Sequence, residues 1–275
     1  WRLMPHLPER TWRLKYTPDD GDLVEVFYVP ALRCAKYYDR STGYFSAPAL
    51  ALAMRGIEGL VRNDGRMRLV VGCTLDPEEV SAIEKGSDLR AVVARHLEVR
   101  PIEPPDAAAH DALELLAWMI AHGFLEVKVA VPCGESRLPI TADGIFHEKA
   151  GVIEDTAGNR LAFNGSINET PAGWKHNWES FNVFTSWSGT AEYVEREIAD
   201  FAAIWANTSK RVVTLDVPEA ARADLLRFLP KSDLPARLAD KPVTPAAYVQ
   251  PTTAKKTAEP DLRREVWRYI RAAPT

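Results

Sequence analysis

The chain has 275 residues, 46% of them hydrophobic, and a formal net charge of −4 at pH 7. This length and apolar content suffice for a sizeable core and predict a soluble globular protein. No apolar run is long enough to cross a bilayer, and no basic stretch leads into an apolar one near the N-terminus. These features argue against a membrane-spanning or exported protein and predict a cytoplasmic one without a membrane partner.

The charge is unevenly distributed along the sequence. Between residues 33 and 73, seven basic residues stand against three acidic ones, whereas residues 76–126 carry eleven acidic and four basic ones. The negative net charge argues against unspecific nucleic-acid binding, but a protein with one basic face can still bind a polyanion. Solvated helix faces are the alternative explanation. The three cysteines are odd in number and far apart, which fits a reducing compartment rather than a disulfide framework.

Strands and helices alternate in the first part of the chain. Ser46 and Pro48 predict the start of a helix after a Tyr-rich strand, and the Asn-Asp-Gly segment at 63–65 predicts its end. The predicted elements, in chain order, are strand 33–45, helix 46–62, buried strand 66–73, a helix from Asp76, helix 111–122 and strand 125–131.

Three strands and a helix follow the loop at 132–144. They are predicted over 145–154, 160–165, 179–186 and 190–207, with a hairpin turn at 155–159. The alternation along the whole chain favours an α/β fold, with a mixed β-sheet flanked by helices.

The composition changes toward both ends, and we expect three regions. They are an N-terminal extension over 1–32, a main domain over 33–207, and a proline-rich linker with the start of a following region over 208–275. Eight of the twenty prolines fall after Asn207, and such segments resist regular structure. Short helices are predicted within this last region over 218–229 and 262–270.

Polar side chains recur at a spacing of two in the predicted strands. His147 and Lys149 should share one face of their strand, because alternate residues of a strand point the same way. Asn164, Ser166 and Asn168 have the same spacing on the strand after the hairpin. We expect these groups to converge on one site.

Glu179, at the start of the next strand, is expected to reach the same site. These groups suit nucleophilic attack on phosphorus. A neutral His147 imidazole can attack through one ring nitrogen if Glu179 holds the other. Lys149, Asn168 and Ser166 would then stabilise the charge that gathers on the non-bridging oxygens.

The pattern His147-x-Lys149, followed by Gly-Ser166-x-Asn168 and then Glu179, resembles the HKD motif of the phospholipase D superfamily. The resemblance spans residues 33–207 and implies a PLD-like catalytic domain with one HKD motif per chain. The family uses two such motifs per active site, so it also implies a homodimer. One His147 would become a phosphohistidine while the His147 of the second copy acts as general acid. Neither a metal nor another cofactor is implied.

The sequence departs from the family pattern after the lysine. Glu154, followed by Asp155, stands where the family has aspartate, and the gap to Gly165 is longer than usual. That acidic residue is structural in the family, and the turn at 155–159 absorbs the longer gap. The departures therefore leave an active enzyme as the expectation.

Several residues near the motif allow both a functional and a structural interpretation. Lys175 and His176 lie in a loop flanked by Trp174 and Trp178. In one interpretation they bind phosphate while one of the tryptophan rings stacks on a base. In the other, the two tryptophans are core residues that anchor the loop. Asn164 can bind substrate or only shape a turn.

The single-lobe form of the superfamily is typical of its DNA-cleaving members, which predicts a metal-independent DNA endonuclease. DNA and a second copy of the chain are the expected partners. A helicase or ATPase region in the same polypeptide or complex, and a role in defence against foreign DNA, follow by analogy. The alternatives are a phospholipid-cleaving or transferring enzyme and a non-catalytic nucleic-acid-binding module.

Overall fold

An eight-stranded mixed β-sheet with helices on both faces organises the protein. The computed structural model describes residues 5–73, 77–85, 87–98, 107–139, 144–217 and 219–230. The strands are β1 Lys15–Tyr16, β2 Ala35–Thr42, β3 Arg66–Gly72, β4 Leu125–Pro132, β5 Lys149–Asp155, β6 Arg160–Gly165, β7 Phe181–Thr185 and β8 Val212–Asp216. The helices are α1 Val29–Cys34, α2 Ala47–Leu52, α3 Met54–Arg62, α4 Pro77–Glu84, α5 Leu89–Glu98, α6 Ala107–Ala121, α7 Ala191–Trp205 and α8 Glu219–Leu226.

The strand order is β1-β7-β6-β5-β2-β3-β4-β8. β2, β3 and β4 are parallel to one another, and all other neighbours are antiparallel. Helices α2 and α3 connect β2 to β3, as parallel neighbours require a crossover connection. The predicted fold class, a mixed sheet flanked by helices, is confirmed.

The two faces of the sheet carry different helices. α7 packs on one face, against β2, β5, β6, β7 and β8, while α1, α3 and α6 pack on the other. The main core lies on this second face, where Phe27, Tyr28, Phe163 and Phe181 are buried. Within the described residues, no helix is both long and apolar enough to span a bilayer.

The expected boundaries at residues 33 and 207 lie inside this folded unit. β1 pairs with β7, and Leu7 is fully buried, so the segment from Leu7 to Tyr16 contributes to the sheet and the core rather than forming an extension. At the other end, β8 pairs with β4 and closes the sheet. Composition alone missed β8, because its short apolar run lies in a proline-containing region.

Some predicted helices differ in detail from those observed. The helix expected over 46–62 is two helices, which meet at Ala53. α5 was not predicted, and α6 begins at Ala107 rather than at Asp111. The predicted start at Asp76, the start at Pro218 and everything from residue 231 onward lie outside the described residues.

The predicted hairpin turn at 155–159 is confirmed, and Asp155 holds it together. Its carboxylate accepts hydrogen bonds from the backbone N–H groups of Ala157 (2.8 Å), Asn159 (3.0 Å) and, across the core, Leu7 (2.9 Å). Hydrogen bonds from Asn159 and these backbone groups outweigh the effect of burial and lower the pKa of Asp155. The acidic residue after Lys149 is therefore structural here, and Asp155 rather than Glu154 carries that role.

Candidate active site

The predicted site lies at the edge where β2 ends and β5 begins. Thr42, the last residue of β2, stands opposite Lys149, the first residue of β5. β2 has a parallel neighbour on one side and an antiparallel neighbour on the other. Ligands of open α/β sheets bind outside the carboxyl ends of the strands, and β2 ends at this edge. The fold thus places the motif where a binding site is expected.

His147 is exposed and lies two residues before β5, not within a strand as predicted. Its ring meets that of Tyr44 edge to face, with 6.4 Å between the centroids. Partial desolvation, and then the positive charge of Lys149, lower the pKa of His147 below its usual 6.5. The imidazole is therefore mostly neutral at neutral pH, as a nucleophile must be.

Gly43 lets His147 and Asn168 approach the end of β2. A Cβ atom at Gly43 would lie 3.3 Å from Cδ2 of His147, 3.4 Å from Oδ1 of Asn168 and 3.1 Å from the carbonyl oxygen of Phe146. His147 and Asn168 thus both lie close to Gly43, where a Cβ atom would fit only tightly.

Lys149 forms the buried floor of the site, with only 7% of its surface exposed. Its Nζ donates a hydrogen bond to the carbonyl oxygen of His147, at 3.1 Å. Burial, and then the charge of Arg40, lower the pKa of Lys149 to about 8, although Glu179 and Glu148 act in the opposite direction. The ammonium is charged at neutral pH and can stabilise a phosphate oxygen.

Asn168 is held by the end of β2. Its Oδ1 accepts hydrogen bonds from the backbone N–H of Tyr44 (3.1 Å) and from Oγ1 of Thr42 (3.4 Å). Because the side-chain oxygen is engaged, the amide presents its Nδ2 group as a donor. A donor fixed in this way suits a phosphate oxygen.

Ser166 directly follows β6, and Glu179 lies two residues before β7. Oγ of Ser166 accepts a hydrogen bond from the backbone N–H of Ser180 at 3.1 Å, and Glu179 accepts one from Nδ2 of Asn177 at 3.0 Å. Among the described residues, none forms a hydrogen bond with the His147 ring. The role of Glu179 in fixing the His147 tautomer therefore stays a prediction, whereas its electrostatic effect on Lys149 is present.

The expectation that Asn164 projects into the same site is wrong. Neighbouring residues of a strand point to opposite faces, and Asn164 pairs with Ala150, not with Lys149. Its Nδ2 donates to the carboxylate of Glu197 on α7. Ser166 and Asn168 do not continue the alternation, because β6 ends at Gly165.

The residues of the loop before Glu179, at 174–178, have different environments. Trp174 is buried and stacks on Tyr28, with 4.1 Å between centroids and 3° between planes. Lys175 forms an ion pair with Asp22. Trp178 is 67% exposed and next to Glu179, so it is the aromatic ring that can meet a substrate. His176 is also exposed.

A buried ion pair beneath the site was not predicted. Nε of Arg40 lies 2.9 Å from the Glu169 carboxylate, and both side chains are fully buried. Tyr28 donates to the same carboxylate at 2.5 Å, and Trp174 donates to it at 3.2 Å. The backbone N–H of Glu169 in turn donates to Oγ1 of Thr42. This network connects the segment that carries Asn168 to β2. The sequence indicates such an ion pair only through one charged residue on each of two segments that turn out to be buried.

A cleft of about 410 Å³ opens beside His147, toward the face that carries α7. Glu148 and Asp200 line it, and burial together with the charge of Asp200 raises the pKa of Glu148. Ser209 and Arg211 line its other parts. The sequence did not predict this cleft, because the prolines after Asn207 indicate a linker, whereas the pairing of β8 with β4 brings this segment to the cleft.

Potential metal ligands come together elsewhere. In the part of the chain that the structure describes, His110, Asp111 and Glu114 on α6 have ligand atoms within 4.8 Å of one another. No such group among the described residues includes His147 or its neighbours.

Comparisons with known proteins find one family model and several similar solved structures. A model of the family described as "Cardiolipin synthase, PLD-like domain" matches residues 66–205, just over half of the chain. No curated protein matches the sequence. Among solved structures, NucT from Helicobacter pylori is similar with 12% sequence identity and a TM-score of 0.41, covering 72% of this chain and 96% of its own.

Two further solved structures are similar. The phospholipase D family member Nuc from Salmonella typhimurium has 16% identity and a TM-score of 0.39, covering 70% of this chain and 92% of its own. Phosphatidylserine synthase from Haemophilus influenzae Rd KW20 has 17% identity and a TM-score of 0.38, covering 69% of this chain and 37% of its own.

The family model, rather than the fold alone, gives the general class of the protein, a PLD-like phosphodiesterase. Because the PLD-like family matches more than half of its length, including every motif residue from His147 to Glu179, the chain belongs to the phospholipase D superfamily. The resemblance drawn from the HKD motif is thereby confirmed.

The lowered pKa of Lys149 makes a prediction for stability. Between about pH 8 and 10.5 the unfolded chain holds the Lys149 proton while the folded protein has lost it, so the free energy of unfolding should rise with pH. Across this pH range, the free energy of unfolding of the wild-type protein is expected to rise by about 1 to 3 kcal/mol relative to that of Lys149→Met. Urea unfolding of both proteins at several pH values measures the difference. A difference that is flat or falls with pH would show that the Lys149 pKa is not lowered.

Proposed function

We propose that the protein is a metal-independent DNA endonuclease that acts through a phosphohistidine on His147. The observation that carries this proposal is an exposed, mostly neutral imidazole two residues before a buried, positively charged Lys149, whose Nζ donates a hydrogen bond to the His147 carbonyl oxygen. A neutral nucleophile beside a fixed cation suits attack on a phosphodiester, whose negative charge otherwise repels nucleophiles.

The reaction proceeds in two displacements. In the first, one ring nitrogen of His147 forms a bond to phosphorus, the bond from phosphorus to the leaving oxygen breaks, and a general acid gives that oxygen a proton. In the second, water attacks phosphorus, the bond to nitrogen breaks, and the water proton passes to the group that acted as acid. Lys149, the Asn168 amide and Ser166 hold the non-bridging oxygens in both steps.

The general acid is proposed to be His147 of a second copy of the chain. One HKD motif supplies one histidine, and the two displacements need an acid and a nucleophile at the same phosphorus. The homodimer is what the resemblance to the family, which uses two such motifs per active site, implies. Sedimentation of an active monomer would refute it.

Two features of the described residues support nucleic acid as the substrate. Trp178, 67% exposed beside Glu179, is placed to stack an unpaired base. Arg211 adds a positive charge to the cleft that His147 lines. His176 and Lys175 are proposed to contact the same strand, with Lys175 exchanging Asp22 for a phosphate. A linked helicase or ATPase region and a role in defence against foreign DNA remain proposals by analogy with other single-lobe nucleases.

Phospholipid cleavage or transfer is the second candidate, because the matching family is described by the name of cardiolipin synthase. Its substrates carry the same phosphodiester group. The aromatic ring and the cation beside the site favour nucleic acid over a lipid.

Incubation with labelled DNA and with phosphatidylcholine vesicles, both in EDTA, tests the proposal. We expect DNA cleavage that persists in EDTA, and no lipid turnover. Turnover of the lipid alone would favour the second candidate, and turnover of neither substrate would favour a non-catalytic binding module. Restoration of DNA cleavage only by added Mg²⁺ would contradict the histidine mechanism.

A further inference from the structure

The cleft beside His147 contains a cation that the proposed chemistry does not use. Of the described residues that line the cleft, Arg211 is the one with a permanent positive charge. Its side chain is exposed, and it forms no hydrogen bond or ion pair with any described residue. A guanidinium without a protein partner, in a cleft shared with a nucleophile, is available to a substrate.

The backbone that carries Arg211 is held rigidly. The guanidinium of Arg137 donates hydrogen bonds to the carbonyl oxygens of Asn207 (3.1 Å), Val212 (3.2 Å) and Ser209. It also donates to the side-chain oxygen of Asn207. Arg137 thus clamps the turn between α7 and β8.

The same turn is fixed from the sheet. The carbonyl oxygen of Arg211 accepts a hydrogen bond from the backbone N–H of Cys133, at 2.9 Å, next to the last residue of β4. Oδ1 of Asn207 also accepts from the backbone N–H of Thr214, at 2.9 Å. Because the backbone is already ordered, the binding of an anion has to order only the side chain of Arg211.

Binding of a polyanion in the cleft requires a positive charge, because the other charged groups there are carboxylates. Glu148 and Asp200 line the same cleft, and two carboxylates oppose the entry of a phosphate chain. Arg211 offsets one of these two charges. Arg211 lies beyond residues 66–205, the part that the family model matches.

We propose that Arg211 binds the phosphate group next to the reacting one in a polynucleotide, so that the cleft selects chains over isolated phosphodiesters. The inference rests on the proposed nuclease function, and it names the substrate as an oligomer with at least two phosphates. A mononucleotide diester occupies His147 and Lys149 only, whereas a longer strand also reaches Arg211.

The test compares Arg211→Ala with Lys210→Ala, which removes the same charge from the neighbouring exposed residue that does not line the cleft. The substrates are a single-stranded oligonucleotide and a nitrophenyl ester of a mononucleotide. For Arg211→Ala, kcat/KM on the oligonucleotide is expected to fall about tenfold more than on the small ester, a ratio typical of a lost phosphate contact. Lys210→Ala is expected to change both by less than about twofold.

A binding measurement separates this inference from the proposed function. The measurement uses the His147→Ala protein, which leaves the oligonucleotide intact. Its binding constant K for the oligonucleotide is measured at several salt concentrations, with and without Arg211→Ala. The additional substitution is expected to reduce the magnitude of the slope of log K against log salt by about 0.7, the value for one phosphate of a single strand. If wild-type protein cleaves no DNA but this slope changes, the nuclease proposal fails and the Arg211 subsite stands.

Three results would overturn the subsite. One is an effect of Arg211→Ala no larger than that of Lys210→Ala. Another is an equal loss on both substrates, which would place Arg211 at the reacting phosphate. The third is weaker binding to phosphatidylglycerol vesicles with unchanged oligonucleotide binding, which would assign Arg211 to a lipid phosphate.

Discussion

His147→Ala is expected to lower kcat for DNA cleavage by a factor on the order of 10⁴ or more, because the substitution removes the nucleophile and, in a homodimer, the general acid of the other half-reaction. Initial rates on a labelled DNA substrate in EDTA measure this loss. The fold should be unaffected, since His147 is exposed and no described residue forms a hydrogen bond with its ring. The free energy of unfolding is expected to stay within about 0.5 kcal/mol of the wild-type value.

His122→Ala is the matched control for this substitution. His122 is an exposed histidine that stacks on Trp118 near the end of α6, and it has no place in the proposed site. Its substitution should leave the rate within about twofold of wild type. A His147→Ala protein that is folded and retains more than about one tenth of the wild-type rate would remove His147 from the chemistry.

Arg40→Met is expected to lower the free energy of unfolding by about 3 to 5 kcal/mol, because it leaves the buried Glu169 carboxylate without its cation. The loss should be larger than for an exposed pair, since no water can reach Glu169 to replace the guanidinium. Urea unfolding at pH 7 measures it. Arg62→Met, which breaks a 3.9 Å surface pair with Glu58, should change the same quantity by less than about 0.5 kcal/mol.

The double variant Arg40→Met/Glu169→Gln separates an unpaired charge from lost packing. Removing the second charge should restore part of the stability lost in Arg40→Met, because an unpaired buried carboxylate costs more than a buried amide. Equal stabilities of the single and double variants would show that the pair contributes through its packing alone. In that case the charge of Arg40 is not what holds the segment of Asn168 against β2.

The centre of the fold was predictable from the sequence because its signals are local. The strand over 66–73 and the hairpin around residues 155–159 follow from apolar runs and turn residues that are close together in the chain. The same is true of the motif, since His147 and Lys149 are two residues apart and Asn168 follows a strand end. These features needed no knowledge of which strands pair.

The features that the sequence did not reveal depend on contacts between distant residues. Arg40 and Glu169 are 129 positions apart, and neither is part of a motif. Asn164 was placed on the wrong face because a spacing of two holds only inside a strand, and β6 ends at Gly165. Arg211 lay in a region whose prolines indicated a linker, whereas pairing of β8 with β4 brings it to the cleft.

The configuration at phosphorus tests the central claim, a covalent intermediate on His147, most directly. A chiral phosphorothioate diester is cleaved by the protein in isotopically labelled water, and the configuration of the product is compared with that of the substrate. Two successive in-line displacements, first by His147 and then by water, predict net retention of configuration. Net inversion would mean that water attacks phosphorus in a single step, and it would contradict the phosphohistidine mechanism.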